Sequence, residues 1–168
     1  MNRAGTVPYA ARAAALAWLC CTSAAGAQQL DARFSCSATR DEDGERVIYA
    51  DSGEMRIDKE RIAAFRWESS LFRSTHGFDC SIDESDKPVA EIMEQTQGDG
   101  WRVHLANPRA ARERRGYDFT GSLNCTIRLA HDGDMLHLQP SCPALCGSRR
   151  NFSALSVNLK TGACQYEE

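Results

Sequence analysis

Six cysteines between Cys36 and Cys164 constrain this chain more than any other feature, because of the compartment the N-terminus specifies. Arg3 and Arg12 give a positive start. Ala13–Cys21 (AAALAWLCC) is a short uncharged apolar run, and the small-residue triplet Ala25-Gly26-Ala27 follows. Export machinery and signal peptidase read that order, and the run falls short of the roughly 20 apolar residues that span a bilayer. Residues 1–27 are expected to be a cleaved signal peptide, and 28–168 a single exported domain, periplasmic or secreted. Trp18-Leu19 before Cys20, and Leu19-Cys20 before Cys21, are poor lipoprotein sites, so no lipid is expected. Cys20 and Cys21 leave with the leader, out of eight cysteines in all. The even remainder, Cys36, Cys80, Cys125, Cys142, Cys146 and Cys164, implies up to three disulfides in an oxidising compartment. The expected pairing joins Cys36 to Cys80 and divides the other four between two bridges.

Charge narrows the partners. Arg3 and Arg12 depart with the leader, so 20 Lys+Arg become 18 against 23 Asp+Glu, a formal charge of −5. An acidic total argues against nucleic acid as the partner. No later stretch is apolar enough for a transmembrane segment.

Three segments share a pattern: FSCSATRDEDGERVIYA from Phe34, FDCSIDESDKPVAEIME from Phe78 and LNCTIRLAHDGDMLHLQ from Leu123. In each, a large apolar residue stands two before a cysteine, an acidic turn follows, and a second apolar strand comes next. Side chains alternate faces along a strand. Phe34, Cys36 and Ala38 therefore share a face, as do Phe78, Cys80 and Ile82, and Leu123, Cys125 and Ile127. Three β-hairpins with inward cysteines are expected. Further alternation marks Met55 and Ile57, Phe65 and Trp67, and Trp101, Val103 and Leu105, with Arg102 and His104 opposite. Phe152–Leu159 gives one more strand. Asn107-Pro108 predicts a short, mostly polar helix over 108–115. The expected fold is mainly β, a small antiparallel barrel or sandwich stapled by its disulfides.

Catalytic signatures are absent from the sequence. There is no G-x-S-x-G, and His76, His104, His131 and His137 form neither H-x-x-x-H nor H-E-x-x-H. No cofactor or metal is implied. His104 and His137 would meet only if their strands pair. The Asp41–Asp43 and Asp83–Asp86 carboxylates fall in turns and read as solvated faces. Cys142-Pro143-Ala144-Leu145-Cys146 has three residues between its cysteines and no βαβ pattern around it, which favours structural half-cystines. The alternative is a redox or copper-accessory role with Met135 and His137 nearby. In Asn107–Gly116 (NPRAARERRG), Arg109, Arg112, Arg114 and Arg115 oppose Glu113 alone. Two readings apply, a bidentate contact with an anionic partner or a solvated loop.

Residues 34–94 resemble the bacterial periplasmic and membrane-bound inhibitors of c-type lysozyme. The likeness lies in Phe34-Ser35-Cys36, in Val47-Ile48-Tyr49 and in ESSLFRSTHG at Glu68–Gly77, where Ser70, Thr75 and Gly77 match the family's serine loop. Leu71 and Ser74 replace the family's glycine and tyrosine, and Lys87 aligns with its later inhibitory lysine. The resemblance implies a small β-barrel whose serine loop enters the enzyme's cleft. The expected function is thus a non-enzymatic exported domain that binds a protein or envelope component, with a c-type lysozyme as the favoured partner. Oligomeric state is left open.

Overall fold

The computed structural model describes residues 28–94, 98–116, 123–141 and 152–167. The expected leader, Cys142 and Cys146 lie outside them. Among the described residues, ten strands form two antiparallel sheets. The first is the meander β1 (Gln29–Glu42), β2 (Glu45–Asp58), β3 (Arg61–Phe72) and β4 (Gly77–Ile82). The second has spatial order β10-β9-β8-β7-β6-β5, built from β5 (Pro88–Ile92), β6 (Asp99–Leu105), β7 (Thr126–Asp132), β8 (Met135–Pro140), β9 (Leu155–Asn158) and β10 (Cys164–Tyr166). Their inner faces share one core, which includes Phe34, Met55, Phe65, Trp67, Trp101, Ile127, Leu136 and Leu155. The described strands form these two separate sheets, not a closed barrel.

Period-two alternation explains most elements. Leu30, Ala32, Phe34 and Cys36 of β1 are buried while the residues between them are exposed, and β6 buries Trp101, Val103 and Leu105. The β1–β2 hairpin turns at Asp43 and Gly44, with φ of 54° and 80°. Two positive φ angles make the tight turn that Asp-Gly favours. Gly53 faces Phe34 across the pair, and a Cβ at Gly53 would collide with the Phe34 ring. The helix α1 (Pro108–Arg114) starts where Asn107-Pro108 predicts, with the Asn107 side chain accepting from the Ala110 N–H at 3.0 Å.

Two sequence expectations are corrected. The hairpins at Phe34 and Leu123 form, but Phe78–Glu94 is a crossover between sheets. Its acidic turn is too structured to fold straight back. Asp83 Oδ1 accepts from the Ser85 N–H at 2.8 Å, Asp86 Oδ2 accepts from the Asp83 N–H at 3.1 Å, and residues Glu84–Asp86 form a 3-10 turn. Lys87, at φ 53°, then redirects the chain so that Pro88 opens a strand of the other sheet. Cys36 pairs with Cys164 instead of Cys80, with Cα atoms 5.7 Å apart. The bond joins β1 and β10, edge strands of the two sheets. Cys80 and Cys125 are disulfide-bonded as well.

Polar contacts reinforce both seams. Beside the disulfide, Arg40 Nη2 donates to the Tyr166 carbonyl at 2.9 Å, and the Tyr49 and Tyr166 rings lie 5.6 Å apart. At the crossover, Asp86, its side chain 1% exposed, accepts from Arg114 at 2.8 Å and from both Arg115 guanidinium nitrogens at 2.9 and 2.5 Å.

Candidate binding face on the four-stranded sheet

Inward-facing residues of β1–β4 make the core, so the outer face is read from the strand register. One row runs Ser37, Ala50, Ser70, Asp79, and the next Ser35, Ser52, Glu68, Ser81. Apart from Glu68 these side chains are short, and the face is hollow there, a concavity of ≈360 Å³. Its lining includes Glu68 and Asp79 and no Lys or Arg. Ser52 Oγ donates to Glu68 at 3.1 Å, and the hydrogen bond from Arg66 holds the Glu68 pKa below its ordinary value. Among the described residues, the Asp79 side chain has no ion-pair or hydrogen-bond partner. Toward the β1–β2 turn the row Thr39, Ile48, Phe72, Gly77 exposes Ile48 and Phe72, the latter to 48%. A Cβ on Gly77 would stand 2.9 Å from the Phe72 ring, so glycine makes room for that ring. On the other side, Arg33 pairs with Glu54 at 2.8 Å. The face thus grades from apolar, through hydroxyls and carboxylates, to ion pairs.

The end nearest Phe72 is locked. Arg73, between β3 and β4, bridges Glu42 at 2.8 Å and Glu45 at 2.9 Å, and Ser74 donates its hydroxyl to Glu45 at 2.6 Å. These contacts, the Ser74 hydroxyl first and the Arg73 guanidinium next, push the Glu45 pKa down to about 2. Beneath the face, Asp51 is buried and accepts from Trp67 Nε1 at 2.9 Å. Burial raises its pKa, while hydrogen bonds from Ser69, Trp67 and Tyr166 offset part of that rise.

The residues singled out by sequence are dispersed. Ser70 lies mid-strand on the outer face, opposite Ala50 and Asp79, and not in a protruding loop. Thr75 sits in the four-residue turn beyond β3, where its hydroxyl meets His76 Nδ1 at 2.8 Å, and Gly77 begins β4. Lys87 lies beyond the far end of β4, in the crossover. The arginine island is neither a solvated loop nor a single exposed patch. Arg114 and Arg115 clamp Asp86, Arg112 is buried and engaged, with burial lowering its pKa, and Arg109 is exposed. His104 and His137 do not meet, because β7 separates their strands.

Two features of the structure have no linear signature in the sequence. The Asp79–Ser70 hollow draws its residues from four strands, and no linear motif announces it. Nor does any motif announce the cluster of His137, Ser156 and Glu167. Ser156 Oγ donates to Glu167 at 2.6 Å and meets His137 Nδ1 at 2.8 Å. The hydroxyl lies between acid and imidazole, and Ser156 is buried, so the order is not that of a nucleophilic triad, in which imidazole bridges the other two. Among the described residues no group of three or more His, Cys, Asp or Glu could hold a metal, and no helix is long and apolar enough to cross a membrane. The chain matches no protein-family model, no characterised protein sequence and no solved structure.

Proposed function

We propose that the protein is an exported, non-enzymatic binding domain that docks a cationic protein on the outer face of its four-stranded sheet, with c-type lysozyme as the favoured partner. The observation that carries this reading is the hollow around Ser70, which has carboxylates at Glu68 and Asp79, no lining cation, and exposed Ile48 and Phe72 beside it. A partner with a Lys or Arg next to an apolar side chain complements that gradient. Phe72 is the kind of aromatic anchor on which binding energy concentrates, and the Asp79 carboxylate, unpaired among the described residues, receives the cation. Because Asp79 lies directly across from Ser70, the local field favours a cation over a catalytic carboxylate there. Inhibition would therefore follow from covering the enzyme's surface at its cleft, and not from insertion of a serine loop.

The reading is tested by a cell-wall clearing assay with oxidised 28–168 and c-type lysozyme. Wild type should slow clearing at micromolar concentration, and Asp79→Lys should relieve the inhibition. Full lysozyme activity in the presence of wild type would overturn the lysozyme assignment.

A further inference from the structure

The outer face of the six-stranded sheet carries an arrangement that stability alone disfavours. Arg102 of β6 stands directly opposite Arg128 of β7. Side chains opposed in an antiparallel pair have Cβ atoms about 5 Å apart, and like charges placed so are destabilising. Gln139 of β8 flanks Arg128 on its other side. Thr126 and Ala130 precede and follow it on the same face of β7, and His104 and His137 lie diagonally across. This ring contains no carboxylate, and every member except Ala130 carries a side-chain N–H or O–H group. Glu91 lies beyond Arg102, 3.9 Å from both Arg102 Nη1 and His104 Nδ1, so one acid faces both of those groups. Glu167 lies 3.8 Å from His137 and accepts the Ser156 hydroxyl. The Arg128 side chain is exposed and, among the described residues, has no ion-pair or hydrogen-bond partner.

We propose that Arg128 and Arg102 form a seat for a phosphate-type oxyanion on this face, with Gln139 completing it. Two guanidiniums present planar forks of N–H groups that match the oxygens of such an anion. A bound dianion would turn the Arg102–Arg128 opposition from repulsive to attractive, which gives the pair a reason to exist. The seat is independent of the docking face, since it lies on the other sheet. The anion could be free in solution or carried on a lipid headgroup, and the two sources can be separated.

The experiment is a low-salt NMR titration of the oxidised 28–168 chain with inorganic pyrophosphate, observing the arginine Nε–Hε signals. Those of Arg102 and Arg128 should shift saturably, and Arg128→Gln should weaken binding at least tenfold, while Arg33→Gln on the other sheet should leave it unchanged. Thermal unfolding gives a second readout. Without anion Arg128→Gln should melt no lower than wild type, and pyrophosphate should raise only the wild-type melting temperature. Phosphatidylglycerol vesicles that compete with pyrophosphate at the same signals would assign the headgroup as a source, and vesicles without effect would leave the soluble anion. Unmoved Arg102 and Arg128 signals, or equal binding by wild type and Arg128→Gln, would overturn the proposal.

Discussion

Cys36 and Cys164 are bonded across 128 residues of sequence, and the bond ties the first strand of one sheet to the last strand of the other. Closing so long a loop restricts the unfolded chain strongly, by about 5 kcal/mol in the chain-entropy picture, against measured values nearer 2–4 kcal/mol. The Cys36→Ser/Cys164→Ser double variant should therefore lose roughly 2–5 kcal/mol in urea unfolding. Peptide mapping without reductant should recover the Cys36–Cys164 pair. Recovery of Cys36 linked to Cys80 would contradict this topology.

The crossover seam depends on Asp86. Its buried carboxylate receives both Arg114 and Arg115, and Arg115 Nη2 also donates to the Ser81 carbonyl at 2.6 Å. Removing the acid strands two cations and frees the 3-10 turn, so Asp86→Ala should cost about 2–4 kcal/mol. Arg114, half-exposed, should cost less than about 1 kcal/mol as Arg114→Ala. Equal losses for the two variants would mean that the clamp does not centre on Asp86.

Two carboxylates give opposite pH signatures. The Glu45 pKa is depressed from 4.5 to about 2, so its contacts with Ser74 and Arg73 stabilise the fold above the unfolded value and are lost as pH falls through about 2. Carbon-detected titration should place the Glu45 midpoint near 2, and Ser74→Ala should move it upward. The Asp51 pKa is raised above 3.8, so its contribution is fully present below 3.8 and is lost as pH rises through the folded value. Asp51→Asn removes that titration and should flatten the stability profile in that window. A profile identical to wild type would mean that Asp51 ionises as freely in the fold as in the unfolded chain.

Local pattern made much of the fold legible. Trp101, Val103 and Leu105 alternate as a half-buried strand must, Asp43-Gly44 dictates its turn, and Asn107-Pro108 starts its helix. What failed was non-local. Whether β4 and β5 share a sheet is decided by the capped turn at Asp83–Asp86 and by Arg115, which reaches Asp86 from 29 residues on. The partner of Cys36 is set by which sheet edges meet, and nothing near Cys36 records that. A family resemblance marks Ser70, but its neighbours Asp79, Glu68 and Ser52 become neighbours only through strand register. The Arg102–Arg128 opposition is hidden for the same reason.

The central claim is that the outer face around Ser70 is a docking surface for a cationic protein. Calorimetric titration of c-type lysozyme into oxidised wild type, Phe72→Ala and Asp79→Lys tests it most directly, with circular dichroism confirming that each variant is folded. Micromolar or tighter binding is predicted for wild type, with at least tenfold weakening in each variant, since Phe72→Ala deletes an anchor worth about 2 kcal/mol and Asp79→Lys sets like charges together. Undetectable binding by wild type, or affinities unchanged in both folded variants, would contradict it.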